Sequence, residues 1–230
     1  MAGLRIWGRR FGRVGAGVVV AGLAGVIGWT FAISWRPAAE SYPLQGVDAS
    51  EAQGVIDWPS VRASGADFAY VRATAGADGK DILFAVNWPQ IYAAGMRRGP
   101  LHQFSLCRLA IDQAKNFIVT VPRTTDSLPA AVQIDPSDEC TAPARAVVID
   151  EVTRFLKLVE SHTGKPALLM IAPAVEQQYR LTAALQRPLW ATGNFFPPTY
   201  TARPWRMWRA SNLRRIEGVE GPIGWNVVAR

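Results

Sequence analysis

Two aspartates stand at the ends of apolar, strand-like runs: Asp48 in GVDAS and Asp135 at the close of LPAAVQID. A carboxyl group at a strand end can deliver a proton as the acid or support positive charge as the anion. Each also has a structural reading, Asp48 as the cap of the loop that follows and Asp135 as a solvated group before Pro136. A second set of residues suits binding rather than proton transfer. Arg203, Trp205, Arg206, Trp208 and Arg209 crowd into residues 203–209. Aromatic faces pack on sugars and Arg pairs with carboxylates, although an ordinary strand with solvated arginines has the same composition. His162 falls near a helix end, where it complements the helix dipole. His102 reads equally as a core hydrogen-bonding residue. No His/Cys/Asp cluster has metal-ligand spacing, no loop suits a phosphate, and no Ser-His-Asp order stands out, so neither metal nor cofactor is expected.

Positioning such side chains is the task of the surrounding elements. Strand-like runs cover residues 46–50, 68–74, 99–105, 131–135, 167–171, 189–192, 205–211 and 223–228. Helical stretches cover residues 58–64, 87–94, 112–121 and 144–163. The last is the clearest, with Val148, Val152, Phe155, Leu156 and Val159 on one side and Gly164 as its stop. Strands alternating with helices over residues 44–230 predict a parallel α/β barrel. Few helices fall in the last third, so the barrel should be irregular there.

A different kind of segment comes first. Residues 14–35 hold 22 positions without a charge, and about 20 apolar residues span a bilayer core. Arg5, Arg9, Arg10 and Arg13 precede them. This arrangement predicts a basic cytoplasmic stretch over 1–13, a single-pass anchor over 14–35, a linker over 36–43, and a main domain outside the cytoplasm. A cleaved secretory signal and a buried soluble helix are the competing readings. The four arginines account for much of the formal net charge of +7. No nucleic-acid partner is therefore inferred. In an oxidising compartment the two cysteines, Cys107 and Cys140, suggest one disulfide, with two unrelated buried thiols as the alternative.

Several motifs, in order, resemble glycoside hydrolase family 25, the N-acetylmuramidase lysozymes. They are GVDAS followed by QG and IDW, DFAYVRAT, NWPQIYAAGMRRG, HQFSLCRLAIDQAKNFIVTVP, LPAAVQID with DEC, RFLKLVESHTGKPALLM, LWATGNFFPP, PWRMWR and IEGVEGPIGWNVV. The resemblance covers nearly all of residues 43–228. It implies a flattened, irregular β/α barrel with its site at the C-terminal strand ends. It also implies cleavage of the bond between N-acetylmuramic acid and N-acetylglucosamine, and it makes Cys107 and Cys140 partners.

The family supplies acids from the ends of strands one, four and eight. The resemblance carries the first onto Asp48. The fourth-strand Asp-x-Glu reads Gln133-Ile134-Asp135, and the closing Asp-x-Asn reads Gly224-Trp225-Asn226. Leu101 stands where a tyrosine is expected, Ala75 where an acid is, and Arg209-Ala210 where Gln-Tyr follows Trp208. The implied catalytic residues are Asp48 and Asp135, and the implied substrate contacts are Gln133, His102, Trp208 and Asn226. The expectation is a peptidoglycan-directed muramidase with weakened activity at the bacterial inner membrane, its C-terminal domain periplasmic or extracellular. The alternatives are a non-catalytic protein that binds peptidoglycan or a wall-associated partner, and a structural membrane-anchored protein.

Overall fold

A computed structural model describes residues 21–230, which divide into two compact units on either side of the Trp35–Arg36 bond. In the first unit, residues 21–34 form a helix, α1. Its two hydroxyl side chains turn back onto their own backbone, Thr30 Oγ1 donating to the Ile27 carbonyl (2.9 Å) and Ser34 Oγ to that of Thr30 (2.7 Å). No helix among the described residues is long and apolar enough to cross a membrane. The basic stretch over 1–13 and the first part of the expected anchor, residues 14–20, lie outside the described residues.

The second unit runs β1 (Gln45–Ala49), α2 (Trp58–Ala63), β2 (Phe68–Ala75), β3 (Gly79–Lys80), α3 (Phe84–Ala93), β4 (Arg97–Phe104), α4 (Ala110–Thr120), β5 (Ala131–Ile134), α5 (Arg145–Thr163), β6 (Leu168–Ile171), α6 (Pro173–Tyr179), α7 (Leu181–Ala184), β7 (Leu189–Thr192), β8 (Met207–Arg214) and β9 (Ile223–Val228). The sheet order is β1-β9-β8-β7-β6-β5-β4-β2-β3, and β1 also pairs with β2. That last pairing closes eight strands into a barrel and leaves β3 as a short ribbon on the edge of β2. Pairing from β1 through β2, β4, β5, β6 and β7 to β8 is parallel. β9 is antiparallel to both neighbours. The reason is local: too few residues separate β8 from β9 for a helical crossover, so the chain returns as a hairpin. The barrel is thus irregular at its closing strand.

Side chains alternate between the two faces of each strand. Phe68 and Tyr70, Leu101, Ala131, Leu168 and Met170, Trp190 and Met207 form one buried cluster. The intervening residues of β2 and β4 face outward, towards α3 and α4. α5 ends where Gly164 takes up φ 71°, a left-handed conformation that glycine adopts without a Cβ clash. Two short helices, α6 and α7, and the ribbon β3 were not anticipated from sequence. Each is too short for a periodic pattern to show.

Candidate active site at the carboxyl ends of the strands

Period-two alternation brings Asp48 of β1, Arg72 of β2, Leu101 and Gln103 of β4, Gln133 of β5 and Arg209 of β8 around one hollow of about 280 Å³, with Ser50, Gln53, Asn212 and Gly224 completing its wall. All stand at or just beyond the carboxyl ends of parallel strands or beside them on the closing hairpin, where sites of such barrels are found.

The Asp48 carboxylate is taken up by partners from this same chain. Arg209 donates from Nε to Oδ1 (2.9 Å) and from Nη2 to Oδ2, a bidentate fork. Asn226 Nδ2 donates to Oδ1 at 2.8 Å, and the Asn226 side-chain carbonyl accepts from the Trp190 indole at 3.0 Å, which fixes the amide's orientation. The pair is largely enclosed, with the side chains of Asp48 and Arg209 13% and 19% exposed. Arg209 Nη2 also lies 3.6 Å from Met170 Sδ. Opposite Asp48 on the antiparallel partner stands Gly224. A Cβ there would fall 2.1 Å from Asp48 Oδ1. The carboxylate therefore occupies the space that any side chain at residue 224 would need.

Asp135 opens onto a neighbouring hollow of about 360 Å³ lined by Ala75, Asp78, Ser105, Arg108 and Glu139 among others. Gln103 lines both hollows. Gln133, two residues before Asp135 and on the same face, donates from Nε2 to Asp135 Oδ2 at 2.5 Å. The remaining charge lining the Asp48 hollow is Arg72, which donates to Gln103 Oε1 (3.3 Å) and pairs with Glu51 (3.1 Å) and Asp81 (3.4 Å). Among the described residues no group of three or more His, Cys, Asp or Glu is arranged to hold a metal ion.

Two expected substrate contacts lie elsewhere. His102 sits one residue after Leu101, and that single step in register turns it to the outer face of the barrel. There it is fully buried, stacked on Phe155 with ring centroids 4.5 Å apart, with Nδ1 against Thr74 Oγ1 (2.8 Å) and Nε2 against Gln113 Oε1 (3.3 Å). Burial pushes its pKa from 6.5 down to about 4, against the opposing hydrogen bond to Gln113 Oε1. Trp208, likewise one residue from Arg209, faces outward, is buried, and donates its indole N–H to the Gly193 carbonyl (2.7 Å). Asn226 is buried and reaches the site through the Asp48 carboxylate. Sequence reasoning passed over Arg72 and Gln103 as site residues, and weighed Arg209 only as part of a basic stretch. The sequence held no signal for them, because the runs of β2, β4 and β8 are buried on successive residues and do not show which ones face inward.

Disulfide-bonded Cys107 and Cys140 (S–S 2.02 Å) join the loop after β4 to the loop after β5, which begins at Asp135.

The eight-stranded β/α barrel, closed by an antiparallel strand, carries its carboxylates at the strand ends, the usual place for the site of a barrel enzyme. The sequence profile of glycosyl hydrolases family 25 matches residues 47–219, and the chain belongs to that family. It is similar to a family 25 glycosyl hydrolase from Bacillus anthracis, with a TM-score of 0.77 and 28% identity over 84% of this chain and 91% of that one. It is 30% identical over 194 residues to the uncharacterized protein YegX of Escherichia coli K12, covering 81% of this chain and 70% of that protein. A shorter stretch of 64 residues, 28% of this chain and 22% of the relative, is 44% identical to lysozyme M1 of Streptomyces globisporus.

Proposed function

We propose that this domain acts on peptidoglycan glycan strands as a lysozyme-type muramidase whose activity is strongly weakened. Family membership and the open hollows at the strand ends support the substrate class. The weakening rests on one observation: Asp48, the first-strand acid, is held by Arg209 and Asn226. A carboxylate already neutralised by a guanidinium gives little support to an oxocarbenium-like transition state. Asp135 is the remaining proton donor at the end of β5. As an Asp in place of the longer Glu, it reaches about 1.5 Å less far, and misplacement near 1 Å costs about 10²-fold.

The non-catalytic reading, a protein that binds peptidoglycan without cleaving it, is favoured by the same ion pair together with the contact from Gln133 to Asp135. Binding of purified cell walls by the full chain and turbidity clearing distinguish the two. The muramidase reading expects wall binding and slow clearing, about 10²–10⁴-fold below a family 25 lysozyme assayed beside it. It also expects clearing to disappear in Asp135→Asn. Binding without clearing leaves the non-catalytic reading standing, and absence of binding overturns both.

The same proposal includes a single-pass anchor over 14–35 that places the domain outside the cytoplasm of a bacterial cell. The uncharged sequence and the hydroxyls of α1 turned onto their own backbone support it, since a helix in lipid must satisfy its polar groups internally. Retention in membranes after alkaline carbonate extraction is expected, and release into the supernatant overturns the anchor.

A further inference from the structure

We propose that Phe196 is a stacking platform for a pyranose ring of the glycan strand, carried by a loop that is hydrogen-bonded to two walls of the Asp48 hollow, Arg209 and Asn212. The proposal rests on the glycan-directed reading above. The loop between β7 and β8 leaves β7 at Thr192 and is immediately fastened to β8. Gly193 N–H donates to the Arg209 carbonyl (3.2 Å), and Phe195 N–H to that of Ala210 (2.9 Å). Asn194 and Asn212 then exchange two hydrogen bonds, Asn194 Nδ2 to Asn212 Oδ1 (2.9 Å) and Asn212 N–H to Asn194 Oδ1 (3.0 Å). Arg209 and Asn212 are themselves walls of the hollow. The start of the loop is thus fixed to the site by bonds on both sides of Asn194.

Phe195 sits at φ 69° without being glycine, a left-handed conformation that costs about 1–2 kcal/mol for an L-residue. That turn reverses the chain, and Phe196 N–H closes it on the Asn194 carbonyl (2.8 Å). Phe196 emerges 79% exposed. Pro197 and Pro198 follow, so Phe196 is confined to extended backbone by the ring after it. An aromatic side chain is therefore held in solvent by a strained, hydrogen-bonded and proline-braced turn. Its ring face is negative and meets the polarised C–H groups of a sugar face favourably, and its backbone has little conformational freedom left to lose on binding.

Size points the same way. The Asp48 hollow of about 280 Å³ falls just below the range of about 300–1,000 Å³ that encloses a typical ligand. A glycan polymer placed there must extend beyond the hollow, and Asn212, one of its walls, is joined by hydrogen bonds to Asn194 in the loop that carries Phe196.

The test uses the full chain and a soluble tetrasaccharide of alternating N-acetylglucosamine and N-acetylmuramic acid, titrated by calorimetry. Wild type is compared with Phe196→Ala, Phe196→Trp and, as an exposed apolar control on α4, Val119→Ala. Phe196→Ala is expected to weaken binding about fivefold to tenfold, while Phe196→Trp and Val119→Ala stay within twofold of wild type. Equal binding by wild type and Phe196→Ala overturns the platform and leaves the glycan reading standing. Equal weakening by Val119→Ala also overturns it, because the effect is then not confined to that loop. No binding by wild type removes the glycan reading, and the platform with it.

Discussion

At the scale of single residues, the site is organised around which group neutralises Asp48. Two departures from the expected family pattern, Arg209 and Gly224, meet there with one residue that keeps it, Asn226. Arg209 supplies the positive charge, Gly224 vacates the space, and Asn226 holds the second lone pair of Oδ1. Asp48 and Gly224 are physically coupled, since Asp48 can lean onto Gly224 only while no Cβ stands there. Gly224→Ala should therefore destabilise by about 1–3 kcal/mol through overpacking, and most of that cost should vanish in an Asp48→Ala background. A double-mutant cycle followed by urea unfolding reads the coupling. Additivity within about 0.5 kcal/mol would show that the two positions are independent. His102 offers a second residue-scale expectation. Its folded-state pKa of about 4 lies below the ordinary 6.5, so the unfolded chain binds a proton in that interval and the folded chain does not. Stability is then complete above about pH 6.5 and is lost as pH falls towards 4, by about 3 kcal/mol in all. Urea midpoints across pH 4–7 should show this slope in wild type and a flatter one in His102→Gln. Identical slopes would refute it.

At the scale of elements, strand ends position the chemistry and loops hold it in place. Sequence made the long helices legible because apolar spacing and stop signals agree, as in α5 and Gly164. The strands were legible as apolar runs, but their facing was not. Whether Leu101 or His102, and Trp208 or Arg209, turns inward depends on one residue of register, and runs buried on both faces carry no alternation to reveal it. That is why His102 and Trp208 were expected in the site and are found packed against the outer layers. The loops after β4 and β5 are joined through Cys107 and Cys140, 33 residues apart. In the chain-entropy model, closing a loop of that length stabilises by about 4 kcal/mol. Cys107→Ser with Cys140→Ser should lower the thermal midpoint. Faster proteolysis in residues 136–144 than elsewhere in the barrel should accompany it. A double variant as stable and as protease-resistant as wild type would show that the two loops hold their places without the bridge.

For the Arg36–Arg230 unit as a whole, the departure from a uniform parallel barrel and the closure of that barrel are the same event. β9 fills the gap between β8 and β1, pairing antiparallel with each, and it carries Asn226 to Asp48 and Gly224 beneath it. Trp225 points the other way and donates its indole N–H to Gln45 Oε1 at 2.7 Å, tying the last strand to the first. The ordered motifs made the barrel and its irregular last third readable, but not the direction of β9. Strand direction follows from the length of the connection in space, and a short turn with glycines at 218 and 221 shows only that the chain bends. Removing residues 223–230 would expose the edges of β1 and β8 together, leave Gln45 Oε1 without the Trp225 donor, and uncover a row of unpaired backbone groups of the kind that drives edge-to-edge association. The expected result is loss of a cooperative thermal transition and elution as large species in size-exclusion chromatography. Arg209→Gln, which breaks the Asp48 pair and leaves closure intact, should keep a cooperative transition at a lowered midpoint. If the truncated chain melts cooperatively as a monomer, β1–β2 pairing and the helical layer suffice to hold the barrel, and β9 is an accessory to the site rather than part of the frame.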